Sequence, residues 1–209
     1  IIGIGYVGLP LAISLSEKNY KNLIGIDKDK EIIKKIKKNQ SHISHIENEK
    51  IKKLNKKNFL ITDDFSIVKS LDVIIVCLPT PLKADLSPDM SFIRTCMSQI
   101  NKHLTFNQLL ILESTVYPGA TNEIIINDLK KKFIIGKNFY IAYSPEREDP
   151  GNKEHNMKNV TKLISGYSKK CQHLGELLYK TCHKKIHKIE NIETAEMSKL
   201  FENCFRAIN

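Results

Sequence analysis

Residues 1–10 have the sequence IIGIGYVGLP, in which Gly3, Gly5 and Gly8 fit the spacing Gly-x-Gly-x-x-Gly. At a turn from a strand into a helix, this spacing lets backbone amides approach a phosphate group at the helix N-terminus. Three glycines alone are weak evidence, because they also let a helix pack closely against a strand. The elements that follow the glycines must therefore decide what they do.

Apolar runs bounded by turn residues alternate with helical stretches along the chain, which is typical of a parallel sheet built from βαβ units. Predicted helices cover residues 8–19, a Lys-rich stretch at 30–40 and a segment from about Ile192 onward. Predicted strands cover residues 1–5, 22–27, 59–62, 72–78, 108–113, 138–143 and 161–166. This pattern predicts an α/β fold with a Rossmann-like, doubly wound parallel sheet, followed by a helix from about Ile192 onward.

Asp27 ends the second predicted strand, 19 residues after Gly8. An acid at about this distance commonly binds the adenosine ribose hydroxyls of a dinucleotide. Strand, glycine turn, helix, second strand and acid thus occur in the required order, and the sequence predicts a dinucleotide site. Its predicted turn consists of Gly3, Gly5, Tyr6, Val7 and Gly8. Because a carboxylate repels a 2′-phosphate, Asp27 favours NAD over NADP.

Composition restricts the other function classes. The net charge of +10 comes mainly from lysines spread over predicted helix surfaces, so we interpret them as a solvated surface and expect no nucleic-acid partner. No apolar run approaches the roughly 18 residues of a membrane span, and no signal peptide is recognisable, so we expect a cytoplasmic protein without membrane contacts. Five cysteines without Cys-x-x-Cys spacing predict reduced thiols and no metal site.

Six segments carry a resemblance to one family across all 209 residues. They are GIGYVGLPLA (3–12), CLPTPL (77–82), PDMSF (88–92), ESTVYPG (113–119), YSPEREDPGN (143–152) and AEMSKLFENCFRAIN (195–209). Together they resemble the nucleotide-sugar 6-dehydrogenases, which include UDP-glucose and GDP-mannose dehydrogenases. ESTVYPG and SPEREDPGN are similar to the branch that acts on UDP-N-acetylhexosamines, best represented by UDP-N-acetylglucosamine 6-dehydrogenase. UDP-glucose, UDP-N-acetylmannosamine and an inactive NAD-binding protein remain as alternatives.

The resemblance implies a four-electron oxidation, in which the C6 alcohol of a UDP-sugar becomes a carboxylate and two NAD molecules are reduced. Such a reaction requires proton removal and stabilisation of negative charge on oxygen, for which an ammonium and an amide are suitable. Lys199 and Asn203, one helical turn apart, match the family residues that contact the substrate oxygen and a water. Glu146 matches a glutamate with a proton-transfer or water-activating role in thioester hydrolysis.

Further site residues follow from the same resemblance. Pro79, Thr80, Ser114 and Thr115 match loops that line the cofactor, and the Thr115 hydroxyl is also a catalytic candidate. Arg147 and Glu148 are expected to line the sugar or nicotinamide side. Pro150 stands where UDP-glucose enzymes have a second glutamate, so we assign the role of that glutamate to no residue of this chain. Ile32 stands where relatives commonly have a basic residue, for which Lys28 or Lys30 would compensate.

The resemblance also predicts the organisation of the chain. Residues 1–190 are the expected NAD-binding domain, and residues 191–209 begin the central helix, which is the family's usual dimer contact. On this helix we expect Glu196, Lys199, Asn203 and Arg206 to form a polar stripe. The opposing apolar stripe, which lets the helix pack and which we expect a shortened helix to expose, consists of Met197, Leu200, Phe201, Cys204, Phe205 and Ile208.

Two parts of the family pattern are expected to lie outside these residues. The family's nucleophilic cysteine belongs to a Gly-Gly-His-Cys segment in a second, UDP-sugar-binding domain, and none of the five cysteines matches it. We therefore expect this chain to bind NAD without completing turnover. The first strand is also expected to start before Ile1, because two residues ahead of the glycine turn are too few for a full strand.

Overall fold

The computed structural model describes residues 1–18, 20, 22–146 and 160–209, with only the backbone described at Ala207. The strands are β1 (Ile24–Ile26), β2 (Leu60–Thr62), β3 (Val73–Val76), β4 (Leu109–Leu112), β5 (Tyr140–Tyr143), β6 (Lys162–Gly166) and β7 (Ile186–Lys188). The α-helices are α1 (Gly8–Ser16), α2 (Lys30–Lys37), α3 (Asn48–Lys56), α4 (Ser91–Ile100), α5 (Asn127–Leu129), α6 (Lys169–Tyr179) and α7 (Ile192–Ile208). A 3-10 helix covers Phe65–Ser70, and a π-helical turn, Asn122–Ile126, leads into α5.

The central sheet is joined at Ile2. β1 pairs with β2, and β3, β4 and β5 pair in sequence, all of them parallel. Ile2 forms parallel bridges to Ile26 on one side and to Val76 on the other. The spatial order is therefore β2, β1, the Ile2 segment, β3, β4 and β5, which confirms the predicted α/β fold with its parallel, Rossmann-type sheet.

The far edge of the sheet differs from the prediction. β6 runs antiparallel to β5, with Ala142 opposite Gly166 and Tyr143 opposite Ser165. β7, which the sequence did not predict, pairs in parallel with β6. A short apolar run predicts a strand but carries no information about its direction, which depends on the connection between strands. Because of the reversal, β6 begins at the edge of the sheet where β5 ends.

Apolar clusters cover both faces of the sheet. Ile74 and Val76 of β3 belong to the cluster beneath α4 and α5, whereas Ile75 belongs to the cluster beneath α1, α3 and α6. Successive residues of a strand point to opposite faces of the sheet, so a parallel strand covered by helices on each side is expected to be apolar throughout. The core therefore consists of two layers separated by the sheet, and the strand ends remain available for a site.

Helix α7 packs against β5 and β6. Its buried side chains are Ile192, Ala195, Glu196 and Lys199. Met197, Phe201, Phe205 and Ile208 are exposed by 54%, 71%, 60% and 84%, and Leu200 is half-buried and Cys204 exposed. The apolar stripe is thus largely exposed, and the buried side of α7 carries Glu196 and Lys199.

All five cysteines are free thiols, and only Cys204 is exposed. Within the described ranges, no three His, Cys, Asp or Glu side chains are grouped so that they could hold a metal ion. None of the helices in that part of the chain combines the length and the apolar character needed to cross a bilayer.

Candidate cofactor and substrate site

The three glycines of the turn have different physical roles. Gly3 has φ of +86°, and a Cβ there would lie 2.6 Å from the Cys77 carbonyl oxygen. A Cβ on Gly8 would lie 1.9 Å from the Gly3 carbonyl oxygen. A Cβ on Gly5 would meet no atom within 4 Å. Gly3 and Gly8 are therefore required by internal packing, whereas Gly5 faces open space in which a ligand could approach the backbone.

A cavity of about 390 Å³ opens beside this turn. Its lining consists of Ile2, Gly3, Gly5, Ile26, Asp27, Lys28, Asp29, Ile32, Phe65, Cys77, Leu78, Pro79, Phe92 and Cys96. The cavity lies at the carboxyl ends of β1 and β3, which is where open parallel sheets bind their ligands. A mostly apolar lining with a few polar groups suits a flat, aromatic ligand group such as adenine.

Asp27 is held in place by the backbone. Its Oδ2 accepts a hydrogen bond from the Ile4 amide at 2.8 Å, and its Oδ1 accepts one from the Asp29 amide at 3.0 Å. Each carboxylate oxygen keeps lone pairs for a further donor. The carboxylate, the open backbone at Gly5 and the adjoining cavity together fit the adenosine and diphosphate parts of NAD.

The departure at Ile32 is also visible in the cavity. Ile32 lines it with an apolar side chain, so this position supplies no positive charge to a phosphate. Of the two lysines considered as substitutes, Lys28 belongs to the lining. Lys28 is therefore the better candidate to balance the charge of Asp27 in this pocket.

Tyr6 and Val7 have unequal positions in the turn. Val7 is partly buried and packs against the apolar cluster beneath α1. The Tyr6 side chain is 62% exposed and stacks on the His45 ring with a centroid distance of 6.1 Å. Of these two predicted cofactor contacts, Tyr6 is thus the one whose side chain is accessible to a ligand.

The loops after β3 and β4 are tied to each other. The Leu78 amide donates a hydrogen bond to Ser114 Oγ at 3.0 Å, and Thr80 Oγ1 donates to the Thr115 carbonyl at 2.7 Å. Ser114 is buried and Thr115 is half-buried. The structure therefore brings Thr80, Ser114 and Thr115 together in the crevice outside the carboxyl ends of the parallel strands. The Ser114 and Thr80 hydroxyls form the hydrogen bonds that join the two loops.

Glu146 follows β5 and contacts a residue that the sequence analysis missed. Lys162, at the start of β6, lies with its Nζ 3.0 Å from Glu146 Oε2. The same Nζ lies 3.2 Å from Glu113 Oε1. A lysine inside the apolar run 161–166 was the available signal, but its partners are distant in sequence. The predicted contacts Arg147 and Glu148 lie outside the described residues.

Helix α7 places Lys199 on its buried side. The Lys199 residue is 8% exposed, whereas Asn203, one turn further on, is exposed. The buried Glu196 accepts hydrogen bonds from the Thr121 amide and hydroxyl and from the Gly119 amide. Burial raises the pKa of Glu196, and these hydrogen bonds oppose that rise. Glu196 thus anchors the helix that carries Lys199.

The fold, the glycine turn, Asp27 and the adjoining cavity are typical of a dinucleotide-binding domain. A family profile described as the UDP-glucose/GDP-mannose dehydrogenase family, NAD binding domain, matches residues 1–183. The chain belongs to this family, and its cofactor is NAD.

Similar proteins support the family on both sequence and structure. The chain is 33% identical over its full length to Protein CapL of Staphylococcus aureus, covering 49% of that protein. It is 32% identical to UDP-N-acetyl-D-glucosamine 6-dehydrogenase of Pseudomonas aeruginosa, again covering 49%. The solved UDP-D-ManNAc dehydrogenase of Pyrococcus horikoshii matches 99% of this chain, and 50% of its own, with a TM-score of 0.88 and 34% identity. The chain thus spans about half the length of these relatives.

Proposed function

We propose that this chain is the NAD-binding half of a nucleotide-sugar 6-dehydrogenase that oxidises a UDP-N-acetylhexosamine, with UDP-N-acetylglucosamine as the first substrate to test. One sugar alcohol, one water and two NAD⁺ give one carboxylate, two NADH and three protons. The observation that carries the proposal is the burial of Lys199 on α7, against the strands whose edge carries Glu146.

Each residue has a defined part in this proposal. Bound NAD supplies the hydride acceptor. The Lys199 ammonium stabilises negative charge on the C6 oxygen as it loses its proton, and the Asn203 amide donates to the same oxygen or to a water. In the proposed route the oxidised C6 carbon is held as a thioester on a cysteine. Glu146 accepts a proton from the water that hydrolyses this thioester. Thr115 orients that water or the nicotinamide group.

The thioester requires a cysteine that we place outside residues 1–209. Cys77, Cys96 and Cys182 are buried, and burial raises the pKa of each of these thiols. A thiol must form its thiolate to act as a nucleophile, so these three are poor candidates. We propose that the nucleophile and most of the UDP-sugar contacts belong to a second domain.

The substrate has two close alternatives. Relatives of similar identity are named for UDP-N-acetyl-D-glucosamine and for UDP-N-acetyl-D-mannosamine, and the two sugars differ only at C2. UDP-glucose, which has no N-acetyl group, is a more distant alternative substrate. A protein that binds NAD without turnover is the alternative to an active enzyme. The proposed product is an acidic sugar, suited to capsule or O-antigen polysaccharide synthesis.

We also propose that the full-length protein is a cytoplasmic homodimer. The exposed apolar face of α7, formed by Met197, Phe201, Phe205 and Ile208, supports a contact between two copies. The five free thiols support a reducing compartment. No nucleic acid or membrane is part of the proposal.

The complete gene product, incubated with NAD and a panel of UDP-sugars, tests the proposal through the absorbance of reduced cofactor. We expect UDP-N-acetylglucosamine to react and to yield two reduced cofactors per sugar. Reaction of UDP-glucose alone would refute the substrate assignment, and a ratio of one would refute the thioester route. Tight NAD binding without turnover on any sugar would favour the inactive protein.

A further inference from the structure

A lysine lies between two carboxylates inside the sheet. Lys162 is 2% exposed, and its Nζ contacts Glu113 Oε1 at 3.2 Å and Glu146 Oε2 at 3.0 Å. The Glu113 side chain is fully buried, and that of Glu146 is 11% exposed. Glu146, just beyond the end of β5, is therefore mostly enclosed by this cluster and keeps a small exposed part.

The antiparallel direction of β6 places Lys162 at this point. The pairing of Tyr143 with Ser165, continued along both strands, brings Glu146 opposite Lys162. The Ser144 hydroxyl continues the contact by donating to the Leu163 carbonyl at 2.7 Å. A parallel strand in the same position would start at the other end of the sheet, far from the crevice.

The side of Lys162 away from the crevice is closed by Tyr179. The Tyr179 hydroxyl donates a hydrogen bond to Glu113 Oε1, and the Lys162 ammonium lies 4.9 Å from the centre of the Tyr179 ring. Glu113 Oε2 has no hydrogen-bond partner among the described residues. Lys162 is thus enclosed, and the direction of its ammonium is determined by three side chains.

The electrostatics of the cluster keep Lys162 charged. Burial alone would lower the pKa of Lys162, but the carboxylates of Glu113 and Glu146 outweigh that effect and the pKa is raised. Burial raises the pKa of Glu113, and the Lys162 charge opposes that rise. The neighbouring Cys77, Cys182 and Tyr179 have pKa values raised mainly by burial and stay neutral. The ammonium therefore faces groups that are anionic or neutral.

We propose that Lys162 is a positioning residue that holds Glu146 at the crevice and keeps its carboxylate ionised for proton transfer. This inference rests on the proposed function, which gives Glu146 that role. A buried ion pair is by itself weak evidence for stability, because desolvation of both charges offsets their attraction. An effect on the ionisation of Glu146 is what separates positioning from a purely structural role.

The test compares variants of the complete gene product. Lys162→Met removes the charge at similar length, and Lys162→Arg restores it. Glu113→Gln leaves Lys162 with a single carboxylate and produces no unpaired lysine. Glu176→Gln is the matched control, because Glu176 is a buried glutamate that also contacts two lysines, Lys180 and Lys188, both at 2.9 Å.

The first measurement is the titration midpoint of the Glu146 carboxyl, followed by ¹³C NMR and assigned by its loss in Glu146→Gln. We expect Lys162→Met to raise the midpoint by roughly one pH unit or more. Lys162→Arg should return it toward the wild-type value, and Glu113→Gln should lower it. Glu176→Gln should lower stability and leave the midpoint unchanged. An unchanged midpoint in both Lys162→Met and Glu113→Gln would overturn the proposal.

The second measurement is the pH dependence of kcat/KM with NAD and UDP-N-acetylglucosamine. The acid limb should move in the same direction and by the same amount as the NMR midpoint in each variant. If Lys162→Met does not fold, Glu113→Gln decides the outcome through the opposite shift. If the wild-type protein oxidises no UDP-sugar, the proposed function fails, while the NMR midpoints still decide whether Lys162 controls Glu146.

Discussion

Glu196 and Thr121 join α7 to the domain: Glu196 Oε1 accepts hydrogen bonds from the Thr121 amide at 2.9 Å and from the Thr121 hydroxyl at 2.6 Å. The Gly119 amide donates to the other carboxylate oxygen at 2.6 Å. Three donors satisfy a carboxylate that would otherwise be costly to bury. The helix held in this way directs Lys199, three residues further on, toward the interior.

Thr121→Val should weaken this junction. The substitution keeps the shape of the side chain but removes one donor from the buried carboxylate, so we expect a loss of about 1–3 kcal/mol in the free energy of unfolding. Urea denaturation measures the loss. Thr194→Val, the same change at an exposed position of α7, serves as the control. Equal effects of the two substitutions would show that the junction does not stabilise α7.

The glycines of the turn should separate packing from cofactor binding. Gly8→Ala forces a Cβ against the Gly3 carbonyl and should destabilise the fold by about 1–3 kcal/mol. Gly5→Ala meets no protein atom, so the protein should keep its stability. Its Kd for NAD should rise about tenfold or more, equivalent to roughly 1.4 kcal/mol. Thermal unfolding and calorimetric NAD titration distinguish the two; unchanged NAD affinity in Gly5→Ala would contradict the assignment of the open space.

Asp27→Asn should reduce the preference for NAD over NADP. The amide oxygen can still accept a hydrogen bond, but the negative charge that repels a 2′-phosphate is lost. The Kd for NADP divided by the Kd for NAD, each measured by titration of the cofactor, should fall about tenfold or more. Asp29→Asn is a control, because Asp29 also lines the cavity and caps α2. A similar loss in Asp29→Asn would show that general charge, and not Asp27, determines the preference.

His42 should make stability depend on pH. Burial lowers the pKa of His42 from 6.5, with a smaller opposing effect of the Ile4 backbone and the Asp27 carboxylate. The unfolded chain then binds a proton more readily than the folded protein, so this contribution is complete above pH 6.5 and decreases as the pH falls below it. Urea unfolding of wild type and His42→Gln at pH 7.5 and 5.5 should show a smaller pH effect in the variant. Equal pH effects would contradict this account.

The apolar face of α7 should determine the oligomeric state of the full-length protein. Phe201 and Phe205 are 71% and 60% exposed, and their burial in a second copy would remove apolar surface from water. Phe201→Ser with Phe205→Ser should convert a dimer to a monomer in light scattering. Phe106→Ser, at a phenylalanine exposed by 62% elsewhere, should not. A wild-type monomer would refute the proposed homodimer.

Local sequence patterns predicted the part of the fold that forms the cofactor site. The glycine spacing, the continuous apolar run of β3 and the position of Asp27 are patterns of residues near in sequence, and the structure places Gly3, Gly5 and Asp27 in one cavity. Such features depend on backbone geometry that a short segment determines.

Features that depend on distant partners were missed or wrong. The direction of β6 and the cluster around Lys162 join residues from four separate elements, so no local pattern contains them. The burial of Glu196 on α7 was missed for the same reason. Its carboxylate accepts hydrogen bonds from Gly119 and Thr121, more than 70 residues away in sequence.

Whether Lys199 acts on the C6 oxygen is tested by the rate of Lys199→Met in the complete gene product with NAD and UDP-N-acetylglucosamine. We expect formation of reduced cofactor to fall about 100-fold or more, since the proposed role of Lys199 is to supply a preorganised charge at the reacting oxygen. The Kd for NAD should stay within about twofold of the wild type, because Asp27 and Gly5 are untouched. Lys180→Met, at an exposed lysine of the Glu176 ion pair, should keep the wild-type rate. An undiminished rate in Lys199→Met would contradict the proposed role of Lys199 at the C6 oxygen.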